Sequence, residues 1–146
     1  MAQFGRPSTD TVNESYLDQA DGGVNIYTKI DEAVADDADY IKTAVAPSND
    51  VYVTKLTTLE DPVSSTDHIV RYRYSKDAAG GATIGLVVQL RQDYVDEGTQ
   101  GTLIATNTHA NISETWTAGS IALAAGEADA ITDYTELYLR FVFNQT

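Results

Sequence analysis

The chain has 146 residues, 42% of them hydrophobic, and its 22 acidic and nine basic residues give a formal net charge of −13. That length is one domain's worth and buries a core without covalent staples, while the absence of cysteine excludes disulfides and thiolate sites and fits a reducing compartment. The acidity disfavours direct contact with a nucleic-acid backbone, no apolar run is long enough for a membrane span, and no secretory leader is expected.

Residues 1–20 read as an extended N-terminal arm, because Gly5, Pro7 and many small polar residues argue against a regular element there. Phe4, Arg6 and Pro7 stand out in the arm as interface residues. Residues 21–146 read as one domain. Ile26, Ile30 and Ala33 recur at helical spacing and predict a helical turn within residues 24–35. Residues 40–45 read as a short strand, Pro47-Ser48-Asn49-Asp50 as a turn, residues 51–59 as a second strand and residues 61–67 as a turn-rich loop. Residues 68–74 alternate, with Val70, Tyr72 and Tyr74 on one face and Ile69, Arg71 and Arg73 on the other.

Residues 76–81 read as a loop by composition. The strongest central strand is 83–92, with Ile84, Leu86, Val88 and Leu90 on one face and Gly85 marking a bulge or a close backbone approach. Residues 94–101 read as an acidic loop, 102–109 as a strand, and 115–123 as another with Gly119 as a bulge. A compact acidic turn, residues 127–133, precedes a closing strand with Leu137, Leu139, Phe141 and Phe143 on one face and Tyr138, Arg140 and Val142 on the other. About eight short strands with turn signals between them predict an all-β fold, an antiparallel jelly-roll β-sandwich with one or two helical turns. An immunoglobulin-type sandwich is disfavoured by the missing cysteine pair and the late position of Trp116.

No catalytic constellation emerges. His68 and His109 are the only histidines, and no serine sits in a Gly-x-Ser-x-Gly setting, so a nucleophilic triad is not expected. Carboxylate pairs suited to glycoside hydrolysis carry no information among 22 acids. Asp31, Glu32, Asp36, Asp37 and Asp39 form an acidic run that would offer oxygens to calcium, but it lacks the helical-hand loop pattern and reads as a charged turn. Neither a cofactor nor a metal is expected. The nine tyrosines suit half-buried sheet faces; Tyr94, in the acidic loop, is the best candidate for an exposed contact, and Trp116 reads as core. Arg71, Arg73 and Arg91 would line one face if their strands were neighbours, with ion pairs inside the chain favoured.

Several segments together resemble the small jelly-roll virion proteins of tailed bacteriophages. They are Arg6-Pro7, Ile26-Tyr27 with Ile30-Asp31-Glu32, residues 37–41, Asp61-Pro62, residues 65–73, Ile104-Ala105, Trp116-Thr117, and residues 127–134 with 137–141. The resemblance implies a non-enzymatic virion structural protein, assembled in the bacterial host cytoplasm. It further implies a capsid decoration or cement protein that binds the outer shell and stabilises capsomer junctions. The implied partners are the major capsid protein and further copies of itself, as a homotrimer, with no nucleic acid and no membrane. The alternatives are a glycan-binding host-attachment module and a tail or neck subunit.

Overall fold

The computed structural model describes residues 2–78 and 82–146; Met1 and residues 79–81, which include part of the expected 76–81 loop, lie outside the described residues. Among the described residues nine strands are formed: β1 (Pro7–Asn13), β2 (Leu17–Asp18), β3 (Ile41–Lys42), β4 (Ser48–Leu56), β5 (Ile69–Tyr74), β6 (Ile84–Gln92), β7 (Thr102–His109), β8 (Thr117–Ala122) and β9 (Leu137–Gln145). A 3-10 turn spans Ile26–Lys29 and a single helical turn, α1, spans Ala125–Ala128. Five strands make one antiparallel sheet in the order β1-β4-β9-β6-β7, and β2-β3 and β5-β8 form separate two-stranded ribbons. The all-β antiparallel class is therefore as expected. The division into sheets of five, two and two strands is sandwich-like.

Period-2 alternation puts the large apolar residues on one face of the main sheet. Leu86, Val88 and Leu90 of β6 lie opposite Phe143, Phe141 and Leu139 of β9. Together with Leu56, Ile104, Ile112, Ile121, Ile131 and Leu137 they form the principal core, covered by Val70, Tyr72 and Tyr74 from β5. At the other end of the same face, Tyr16, Ile26 and Tyr52 make a smaller core against Ile30, Ile41, Phe141 and Phe143, roofed by the 3-10 turn and the β2-β3 ribbon. The helical turn expected within residues 24–35 is thus present, shortened to four residues.

Several local expectations change. Residues 7–13 of the arm are an edge strand paired with β4, with two register shifts. Small polar residues hid it, and Pro7 sits where a missing N–H is tolerated, at the first residue of an edge strand. Residues 127–133 were expected as a plain turn, but their start closes α1, where the Glu127 carboxylate accepts the Ala124 N–H at 2.8 Å. Neither Gly85 nor Gly119 is a bulge: both lie in unbroken register. Gly119 faces the Tyr72 ring, where a Cβ would come within 2.3 Å of Cε2, so the glycine is needed for a close approach. Gly101 is at φ +61°, and a Cβ there would lie 2.1 Å from the Gln92 carbonyl oxygen.

Leu86→Ala, at a site 2% exposed, is expected to cost about 3 kcal/mol in urea unfolding. Gly119→Ala is expected to cost about 1–3 kcal/mol, and most of that loss should vanish in a Tyr72→Ala background, because the ring is what the new methyl meets.

Candidate functional site

The first residues are pinned to the body. Gln3 and Glu60 exchange two hydrogen bonds, Gln3 Nε2 donating to the Glu60 carbonyl at 2.9 Å and Glu60 N–H donating to Gln3 Oε1 at 2.8 Å. Thr57 N–H donates to the Arg6 carbonyl at 2.8 Å, and Arg6 N–H donates to Thr57 Oγ1. The Arg6 guanidinium also donates to the carbonyls of Asp31 and Glu32, which ties the arm to the acidic run. Between these anchors Phe4 stands 65% exposed, with the Arg6 guanidinium 5.7 Å from its ring centroid. Of the four interface residues named from sequence, Phe4 is thus a displayed aromatic, Arg6 mainly a clamp, and Pro7 the first residue of β1.

Tyr94 is a correction. It is 3% exposed and packs with Val51, Val53 and Tyr138 on the outer face of the sheet. Its hydroxyl donates to Glu97 Oε1 at 2.5 Å, and both Glu97 oxygens accept from the Arg140 guanidinium at 2.8 and 2.5 Å. The acidic loop expected at residues 94–101 is present, and it is drawn onto the sheet because a nearly buried cation on β9, 12% exposed, needs a carboxylate. Burial, together with Glu97, pushes the Tyr94 hydroxyl upward. The Arg140 guanidinium, followed by the Tyr94 hydroxyl, holds the Glu97 carboxyl below its ordinary value of 4.5. Beside this pair lies a shallow depression of about 500 Å³ floored by Val51, Val87 and Val142 and edged by Glu14 and Asn49.

Asp10 was missed from sequence. Its carboxylate accepts the N–H groups of Ile26 at 2.9 Å and Tyr27 at 2.8 Å, and the Tyr52 hydroxyl at 2.7 Å. The 3-10 turn has no side-chain cap of its own from Asn25, so a residue on β1 caps it from a distance. Burial first, and then Asp10, push the Tyr52 hydroxyl far above its ordinary value, which keeps it a donor. Nothing in the Ser8-Thr9-Asp10-Thr11 run marks this role. The Glu97–Arg140 pair did leave a trace, because Arg140 is the one charge in β9.

The histidines are built into tyrosine contacts. His68 lies 2.8 Å from the Tyr134 hydroxyl, and His109 lies 2.9 and 3.2 Å from those of Tyr72 and Tyr74. Asn107 Nδ2 also donates to the Tyr72 hydroxyl and to the Ser120 carbonyl, which fastens the β5-β8 ribbon to β7. The acidic run is partly consumed within the chain: Asp37 takes a bidentate pair from Arg73 at 2.6 and 2.7 Å, and Asp39 meets Lys29 and Gln19. Burial, with Asp39, Asp31 and Asp36 nearby, pushes the Glu32 carboxyl upward. Arg71, Arg73 and Arg91 do not share a face: Arg91 is 9% exposed on β6, donating to Gln89 and Gln100. Trp116 is half-buried, its ring 5.6 Å from that of Tyr40.

Comparison with protein-family models, curated proteins and solved structures finds no match to this chain.

Asp10→Ala is expected to destabilise the fold by about 2–4 kcal/mol in urea unfolding, more than Tyr52→Phe, which removes only one of the three bonds. Because the folded Glu97 carboxyl binds its proton less readily than the unfolded one, its contribution is complete above about pH 4.5 and fades as pH falls through the folded value. Glu97→Gln is therefore expected to lower stability at neutral pH and to flatten its fall under acid; equal acid slopes for the two proteins would contradict this.

Proposed function

We propose that this chain is a non-enzymatic structural protein of a tailed-bacteriophage particle, a capsid decoration protein with a jelly-roll-related body that binds the outer shell as a homo-oligomer and stabilises capsomer junctions. The reading rests on the segments that resemble small virion proteins, and the all-β fold is compatible with it. The observation that carries it furthest is Phe4. An aromatic 65% exposed, on a segment pinned on both sides by Gln3 and Arg6, is a preordered anchor for a protein partner. Burying such a ring contributes about 1.5–3 kcal/mol, and many symmetric copies multiply a modest contact through avidity. The net charge of −13 keeps the body away from packaged nucleic acid and favours a basic patch on the shell. Tyr94, the aromatic platform a glycan-binding module would have used, is buried beneath its own loop.

The test is cosedimentation of the purified protein with undecorated capsids, followed by electron microscopy. Bound protein is expected at capsomer junctions, and decorated particles are expected to retain DNA longer under heat. Phe4→Ala is expected to weaken binding at least about tenfold with an unchanged unfolding curve. Absence of external density, or equal DNA retention with and without the protein, would overturn the reading.

A further inference from the structure

The main sheet has two edges, β1 and β7, and they are built differently. An edge strand turns half of its backbone N–H and C=O groups away from its one neighbour, and such a row pairs readily with another chain unless something blunts it. β1 is blunted: it opens on Pro7, carries Asp10 and breaks register with β4 twice. In the ribbons, β5 displays Arg71 and Arg73 at exposed positions, β2 and β3 are two residues long, and the Ser120 carbonyl of β8 accepts from Asn107 Nδ2. β7 has neither proline nor a charged residue. Its register with β6 shifts once, where Ile104 is passed over, and from Ala105 to His109 it is unbroken.

Among the described residues, the backbone of residues 105–109 has no hydrogen-bond partner other than β6. The side chains of Asn107 and His109 turn to Tyr72 and close the core side, while Thr106 and Thr108 stand exposed on the outer face. The strand lies within residues 98–113, the longest stretch of the sequence without Asp, Glu, Lys or Arg, 16 residues in a chain of which 21% are charged. Two copies that each carry −13 repel wherever their acids approach, so contact between copies is least opposed along this strip. A charged peptide gains no attraction from it.

We propose that residues 105–109 of β7 pair antiparallel with the same residues of a second copy, around a two-fold axis at Asn107, and so join two five-stranded sheets into one. Such a pairing is self-complementary: each backbone donor turned outward meets an acceptor of the other copy. It sets Thr106 of each copy opposite Thr108 of the other, a neutral cross-strand pair of β-branched side chains. The bulged and acidic edge β1 offers no matching row. The product is a dimer, where the resemblance to virion proteins implies a homotrimer. The pairing deepens the homo-oligomer part of the shell-binding reading, and it forms without a shell and without Phe4.

The test is analytical ultracentrifugation of the purified full chain up to about 1 mM, with amide hydrogen exchange at low and high protein concentration. Five residues per copy make a small interface, so a dimer is expected with a dissociation constant of about 100 µM. Added salt is expected to tighten it, because salt screens the repulsion between two acidic bodies. Alternate amides of residues 105–109 are expected to exchange more slowly at high concentration. Thr106→Lys with Thr108→Lys is expected to weaken the dimer at least about tenfold, because lysine then lies opposite lysine. Thr106→Lys with Thr108→Glu is expected to restore it, because each lysine then lies opposite a glutamate; neither pair of changes should alter the unfolding curve of the dilute protein. A monomer throughout the range would overturn the pairing, as would a dimer that forms equally well with both double variants. Slowed exchange of these amides only after undecorated capsids are added would also overturn it, since a segment of the shell would then hold the edge. Dimerisation without shell binding would sink only the earlier reading, and shell binding by a monomer only this one.

Discussion

Strand β9 hydrogen-bonds to β4 on one side and to β6 on the other, and its alternation decides what each face of the sheet can hold. Leu137, Leu139, Phe141 and Phe143 point to one side, where they meet β6, the β5-β8 ribbon and the β2-β3 ribbon. Tyr138, Arg140 and Val142 point to the other, where they meet Val51, Val53 and the 93–101 loop. A one-residue slip of β9 would exchange these sets and place Arg140 in the principal core, so the register is fixed by the energy of both faces at once. The central position of the last strand also means that the main sheet closes only when its two sequence-distant partners are brought together, a non-local pairing with a large loop-closure cost.

The two faces are finished differently. On the core side, two short ribbons and the 3-10 turn serve as lids. Asp10 caps the 3-10 turn and holds Tyr52 of β4, while Asn107 and His109 engage Tyr72 and Tyr74 of the β5-β8 ribbon. On the outer side one loop is drawn in by a single ion pair, and that loop takes Tyr94 out of solvent. The Tyr-rich composition follows from this design: tyrosine provides ring area for thin cores and a hydroxyl that reaches the polar fastenings at their edge. What remains exposed on an ordered support is then informative, namely Phe4 on the pinned arm.

The strands were legible wherever period-2 alternation was strong. β5, β6, β7 and β9 lie where their apolar spacing put them, and the inward faces of β5 and β9 match the residues named. β1 was illegible because its seven residues are mostly small and polar, and it forms by pairing with β4 rather than by burying an apolar stripe of its own. The exposure of Tyr94 was misread because loop composition reports solvent affinity, whereas the position of this loop is set by Arg140, some 40 residues away in sequence. Arg140 itself, a lone charge in an apolar strand, was the signal that a partner had to exist.

The sequence by itself determined the all-β class, the faces of the strongest strands, and the acidity and cysteine-free chemistry of the surface, since these depend on local periodicity and composition. Tertiary structure alone decided the strand order, the distant capping by Asp10, the burial of Tyr94 and the pairing of each histidine with its tyrosines. Each of these depends on groups that meet only after the chain has folded, and neither residue spacing nor composition encodes which distant donor will find which acceptor.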